Sequence, residues 1–266
     1  MNMTKIKYSK LSIAIPTYES SQYVEESIKK IMNFKCVNEV VIQDDRSSNQ
    51  SYGELEKIVN SYNNKLNIKL FRNEKNIGAF GNKLLNIKNC SNDVVYQIDS
   101  DNVTDTNLDL VINQVNDKNI MYLPSKIYQF RKYKNISKLL SVFRKKYKVT
   151  FSDSDYLYDL SVCKKGINGQ EKVTVDKNIN WVLNSGNFIV DRNIYLEVME
   201  PVFINEFRPP LDAVAISYYW LKSEKKIKTL KDLQHFHRKR EDSVSFTENK
   251  GSYKSLQEYR QKILNL

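Results

Sequence analysis

The stretch VVYQIDSD, residues 94–101, decides the reading of this chain. Val94 to Ile98 is a compact apolar run of strand character, and it ends at Asp99, Ser100 and Asp101. Two carboxylates one residue apart at a strand terminus can both reach a hard divalent ion. Mg²⁺ or Mn²⁺ held this way keeps coordination sites free for diphosphate oxygens and neutralises a departing diphosphate. An Asp-x-Asp pair alone is common in loops, so its weight depends on what precedes it.

Upstream, apolar runs alternate with amphipathic stretches. Leu11 to Ile15 reads as a strand that stops at Pro16-Thr17, because Pro cannot continue a central ladder. Residues 22–34 place Val24, Ile28, Ile31 and Met32 on one helical face, with Ser20 or Ser21 as N-cap. Glu39 to Gln43 is a β-branched strand, 53–62 a helix, 66–72 a strand and 78–89 a helix. This order predicts parallel βαβ units in a doubly wound α/β sheet, whose ligands bind beyond the carboxyl ends of the strands. The polar clusters sit at those ends: Pro16-Thr17-Tyr18-Glu19, Asp44-Asp45-Arg46-Ser47, Arg72-Asn73 and Asp99-Ser100-Asp101. Their convergence on one crevice says more than any one of them. An Asp at Asp44 or Asp45 can accept from a base N–H or hold a ribose hydroxyl. Two adjacent carboxylates are not both buried without a cation, so one of the pair is expected in solvent.

The 266 residues fit one large domain or two small ones, by the prior of roughly 150 residues per domain. With 41% hydrophobic and 27% charged residues the composition is that of a globular protein, not a disordered one. Cys36, Cys90 and Cys163 lack metal-type spacing, so neither a disulfide framework nor a zinc site is expected. There is no GxxxxGK[ST] or GxGxxG loop, which argues against P-loop and classical dinucleotide binding. The net charge of +11 lies wholly in residues 116–266. An anionic partner for that half, or a solvated lysine-rich face, accounts for it. Residues 126–148 carry nine Lys/Arg and no acid, with Ile136, Leu139, Leu140, Phe143 and Tyr147 in a helical stripe. That pattern predicts a basic amphipathic helix able to lie on an anionic membrane. Further on, 187–190 reads as a strand continuing into a helix, 212–222 as a buried helix capped by Asp212, and 252–265 as a last amphipathic helix. His235 and His237 fall on one face of a strand-like stretch. Trp181, Tyr218, Tyr219 and Trp220 read as core or as walls of a cleft.

Four motifs in order carry a resemblance: SIAIPTY from Ser12, VIQDDRS from Val41, Asn76-Ile77-Gly78 with Asn82, and QIDSD from Gln97. Over about the first 110 residues the chain resembles a family 2 glycosyltransferase of the GT-A fold. The segments LNSGNFIVDR from Leu183 and FHRKREDSVS from Phe236 resemble the family's later segments more loosely. The resemblance implies a single GT-A domain over 1–266: a nucleotide-binding half (1–115), an acceptor-side half (116–250) and a C-terminal helix (251–266). It implies inverting transfer of a sugar from a nucleotide sugar, often UDP-linked, to a hydroxyl of a saccharide or lipid-linked acceptor, in surface polysaccharide or glycoconjugate synthesis. Carried over, Pro16, Thr17, Tyr18 and Glu19 line the nucleoside pocket and Asp44 or Asp45 contacts the base. Arg72, Asn76, Gly78 and Lys83 lie near the nucleotide or its diphosphate, as do Ser100 and Arg238. Asp99 leans toward ribose or metal, Asp101 is the main ligand of Mn²⁺ or Mg²⁺, and His237 completes the shell. The general base is Asp212, although Leu211 stands where the family often has another acid; Asp191 competes for the role.

Two other classes fit the sequence less well. A nucleotidyltransferase also uses paired carboxylates, but it needs a Gly-rich basic loop where this chain has Pro16-Thr17-Tyr18-Glu19. A nucleic-acid binder would meet the acidic clusters in the crevice, so no nucleic-acid partner is expected. No apolar run approaches ~20 residues and the N-terminus lacks the apolar core of a secretory signal. The expectation is a cytoplasmic protein, peripheral at the inner face of the membrane if 126–148 makes contact.

Overall fold

The computed structural model describes residues 6–104, 106–130, 146–150, 154–169, 175–204, 207–238 and 249–266. The first half runs β1 (Leu11–Thr17), α1 (Ser21–Ile31), β2 (Val37–Asp44), α2 (Asn49–Tyr62), β3 (Ile68–Arg72), α3 (Gly78–Asn89) and β4 (Val94–Gln97). The four strands are parallel in the order β3-β2-β1-β4, as the alternation predicts. Their side chains divide between two faces. Leu11, Ile13, Ile15, Val40 and Ile42 meet Val24, Ile28 and Leu55 from α1 and α2. Ala14, Val41 and Val95 meet Phe80, Leu84 and Ile87 from α3.

Pro16 is an exception to expectation, because β1 does not stop before it. Pro16 pairs with Gln43 of β2, while pairing with β4 ends at Ala14 opposite Gln97. Its missing N–H therefore falls where β4 has already ended, and no ladder bond is lost.

After β4 come β5 (Val103–Thr104), α4 (Leu108–Val111), β6 (Ile120–Phe130), β7 (Lys146–Thr150), β8 (Tyr156–Tyr158), α5 (Leu160–Ile167), α6 (Val175–Leu183) and β9 (Phe188–Asp191). Then follow α7 (Arg192–Phe203), α8 (Asp212–Lys222), β10 (Lys226–Arg238) and α9 (Asn249–Leu264). Here the sheet turns mixed. β9 pairs antiparallel with both β4 and β6, β10 runs parallel to β6, and β5 is antiparallel to β10. Helices α7, α8 and α9 complete the layer begun by α3, with Trp220 fully buried and its indole N–H donating to the Lys226 carbonyl at 2.8 Å. Asp212 is the first residue of α8 and Leu211 its N-cap, one position from expectation.

The expected basic helix over 126–148 is corrected at both ends. Lys126–Phe130 belongs to β6 and Lys146–Thr150 to β7, paired antiparallel. The alternating Ile127-Tyr128-Gln129-Phe130 continues a strand already held by β10, and that tertiary pairing overrides the helical spacing. Most of the apolar stripe, and the core of the membrane-surface reading, lies outside the described residues. Among the described residues no helix is long and apolar enough to cross a membrane.

One buried acid ties three strands together. Glu39 on β2 is 1% exposed. It accepts from Ser12 on β1, from Ser91 N–H and Oγ before β4, and from Lys69 on β3 at 2.9 Å. Burial opposes its ionisation, but these donors outweigh it and lower the carboxyl from 4.5 to about 2. A depressed folded value stabilises the fold above the unfolded value, and that share is lost as pH falls from about 4.5 to about 2. Glu39→Gln is expected to cost about 3 kcal/mol at neutral pH. It should also flatten the acid limb of a stability-against-pH curve measured by urea unfolding. An unchanged acid limb would count against this role.

Candidate active site

The carboxyl ends of β1, β2, β3 and β4 form one crevice, and its loops are bound to one another. Thr17 Oγ1 lies 2.8 Å from Ser20 Oγ, which lies 2.7 Å from Ser100 Oγ. This hydroxyl chain ties the end of β1 to the Asp99-Ser100-Asp101 turn. Ser20 is the N-cap of α1, yet its side chain serves that chain and not the helix. Tyr18 is 52% exposed at the mouth. Glu19 has φ of 48° and Arg46 a φ of 64°, conformations uncommon for residues with a Cβ and often found at binding sites. The two loops meet there: Glu19 N–H donates to Ser47 Oγ at 2.9 Å, and the Glu19 carboxylate accepts from Ser48 N–H and Oγ.

Asp44 and Asp45 are both buried, against the expectation that one would be solvated. The cation that Asp44 needs is Arg72, whose Nε lies 3.3 Å from Oδ2, and Ser47 N–H also donates to it. Burial still pushes the Asp44 carboxyl upward, against the pull of Ser47 and Arg72. Asp45 is satisfied without a charge: it accepts from Asn73 Nδ2, Ile77 N–H and Gly78 N–H at 2.8–2.9 Å. It thereby fixes the turn into α3, where Gly78 has φ of 83°. A nucleoside contact by either acid would share an oxygen already bonded to the protein. Arg72 is turned onto the β2–α2 loop, donating to Ser47 O and lying 4.5 Å from the Tyr52 ring centroid.

Asp99 is held from three sides. Its N–H donates to Asn187 Oδ1 at 2.8 Å, its Oδ1 lies 2.8 Å from Lys83 Nζ, and Gly186 packs against Oδ2. The same Lys83 ammonium lies 2.6 Å from Asp212 Oδ2. Lys83 is 4% exposed, and burial alone would lower its pKa. The charges of Asp212 and Asp99 outweigh burial and drive it well above the ordinary lysine value. The donor-side and acceptor-side candidates therefore share one cation.

Asp191 does not join them. It faces Val94, at the opposite end of β4 from Asp99, caps α7 through Ile194 N–H and accepts from Tyr8 at 3.0 Å. Its place as a competing base is thus corrected: at roughly 3.3 Å per strand residue it is more than 10 Å from the crevice.

At the far side, β10 brings Arg238 N–H to Asn102 Oδ1 and Arg238 Nε to the Asp101 carbonyl. His237 precedes Arg238 on the same strand, and by alternation its side chain lies on the other face from that of Arg238. The Arg238 guanidinium itself pairs with Glu26 at 2.6 Å and lies 4.6 Å from the centroid of the Tyr23 ring. His235 is 3% exposed, and burial, then His237, lowers it to about 3. It is a neutral core histidine 6.2 Å from the His237 ring. Asp99, Asp101 and His237 are chemically apt for a hard divalent ion. Among the described residues no three His, Cys, Asp or Glu side chains already converge to hold one.

Three site residues carried no assigned role in the sequence reading. Asn187 and Gly186 fix Asp99; a Gly-Asn opening a strand was the available signal of close backbone approach. Arg208, just before α8, donates to the Asn76 carbonyl and lies over Gly78. No spacing marks that contact.

The sequence model described as Glycosyl transferase family 2 matches residues 12–156, more than half of the chain, and the chain belongs to that family. A stretch of 96 residues, 35% of the chain, is 35% identical to the poly(ribitol-phosphate) beta-N-acetylglucosaminyltransferase TarS of Staphylococcus aureus, strains Mu50 and MW2. The match spans 16% of the length of these curated relatives. Among solved structures, S. aureus TarS 1–349 in complex with UDP-GlcNAc gives a TM-score of 0.58 at 18% identity, covering 96% of this chain and 70% of that one. GalNAc-T7 with UDP, GalNAc and Mn²⁺ gives 0.59 at 15% identity, covering 88% and 44%. At these identities the likeness is one of fold, and the fold is GT-A.

A Cβ at residue 186 would lie 2.1 Å from Asp99 Oδ2. Gly186→Ala is therefore expected to push Asp99 off Lys83 or Asn187, at a stability cost of about 1–3 kcal/mol. A crystal structure of the variant checks this; an unmoved Asp99 carboxylate would refute it.

Proposed function

We propose that the chain transfers a sugar from a UDP-linked donor to an acceptor hydroxyl with inversion. The observation that carries this is the Lys83 ammonium, which joins Asp99 on the donor side to Asp212 on the acceptor side. The nucleoside lies over Pro16, Thr17, Tyr18 and Glu19. The diphosphate lies toward Asn76, Gly78 and the Asp99-Ser100-Asp101 turn. Asp101, with Asp99 and His237, would hold Mn²⁺ or Mg²⁺, which supplies positive charge to the leaving diphosphate.

Asp212 takes the proton from the acceptor hydroxyl. That oxygen forms a bond to the anomeric carbon as the bond from this carbon to the diphosphate oxygen breaks. The electron pair leaves with the nucleoside diphosphate. A partial relative named for acting on poly(ribitol-phosphate), and the +11 charge of residues 116–266, support an anionic surface-polymer acceptor. UDP-GlcNAc is the first donor to try, being the ligand in the TarS structure.

Calorimetry with UDP, with and without Mn²⁺, and with GDP and CDP as controls, tests the reading. Mn²⁺-dependent binding of UDP is expected, weakened at least about tenfold in Asp101→Asn. Asp212→Asn is expected to keep that binding and lower transfer by about 10²–10⁴-fold. Failure of every nucleotide to bind would overturn the assignment. Release of pyrophosphate in place of nucleoside diphosphate would make the protein a nucleotidyltransferase.

A further inference from the structure

Lys83 sits where a helix seldom carries charge. It projects from the buried side of α3, among Phe80, Leu84 and Ile87, and is 4% exposed. A long side chain on such a face would ordinarily carry its charged end out to water. This one ends between two carboxylates, 2.8 Å from Asp99 and 2.6 Å from Asp212. Tyr195, fully buried on α7, lies within the field of Lys83 and Asp212.

Asp212 needs a restraint. It stands in the first turn of α8 with its side chain 21% exposed, so water competes for it. Lys83 is fixed by its burial and by Asp99, and Asp99 is fixed in turn by Asn187 and Gly186. The position of Asp212 is thereby referred, through one ammonium, to the end of β4. A neutral side chain at 83 would release Asp212 and leave two carboxylates facing each other without their cation.

We propose that Lys83 is a positioning residue that acts through Asp212, setting the base against the donor end of the site. The proposal rests on the reading of Asp212 as the base. It replaces the expected diphosphate contact of Lys83 with a different role: both contacts of its ammonium are to carboxylates, so its effect is on turnover and disappears when the base is already lost.

The test is a double-mutant cycle in the full chain with Lys83→Met, Asp212→Asn and the double variant. The probe is UDP-GlcNAc with water as acceptor, read as UDP release, together with the Kd for UDP. Lys83→Met is expected to lower kcat about 100-fold. The Kd for UDP should stay within about threefold, and the double variant should match Asp212→Asn alone. Lys83→Gln replaces the Met variant in the same cycle if thermal unfolding shows that it does not fold. Multiplying losses in the double variant would overturn the proposal, as would a Kd that worsens in step with kcat. Full activity of Asp212→Asn would overturn it through the base. A wild-type protein that neither binds UDP nor releases it would instead remove the proposed function itself, a result distinguishable from all of these.

Discussion

A lysine ammonium almost shut off from water, held between two carboxylates, sets the condition that the rest of the site has to meet. Removing one partner of such a buried pair costs about 3–5 kcal/mol, because the charge left behind is uncompensated. Lys83, Asp99 and Asp212 are therefore coupled through one ammonium. Around them the polar groups are arranged to hold and not to wander. Asn187 fixes Asp99, the hydroxyls of Thr17, Ser20 and Ser100 fix the turn that follows it, and Asp45 fixes the entry to the helix that carries Lys83.

The first half of the fold was legible because its signals are local. Short β-branched runs, amphipathic helices and a polar cluster at each strand end repeat every βα unit, and parallel topology follows from the alternation. The Asp-x-Asp turn was readable for the same reason. Lys83 was readable as a site residue but not as the link between Asp99 and Asp212. That link joins residues 83 and 212, and no periodicity connects them.

The misreadings have separate physical causes. Residues 126–130 and 146–148 fall inside the span expected to be helical, but β10 and their own pairing provide a ladder that propensity alone does not foresee. Asp191 competed with Asp212 as an acid next to a helix start; only the antiparallel register of β9 sends it to the other end of the sheet. Burial of both Asp44 and Asp45 was missed because the cation, Arg72, arrives from the next strand, and the amide donors from the turn after it.

The reversal of direction at β9 has a consequence for how such a protein can diversify. The crevice is assembled from the carboxyl ends of four parallel strands, β3-β2-β1-β4. The other wall is reached from the opposite sense of travel, by the segment that enters β9 and the one that leads into α8. These segments answer to different constraints. Lengthening or rewriting the second set would reshape that wall and leave the strand-end crevice in place, and Lys83 is the fixed point across which the two sets must still agree.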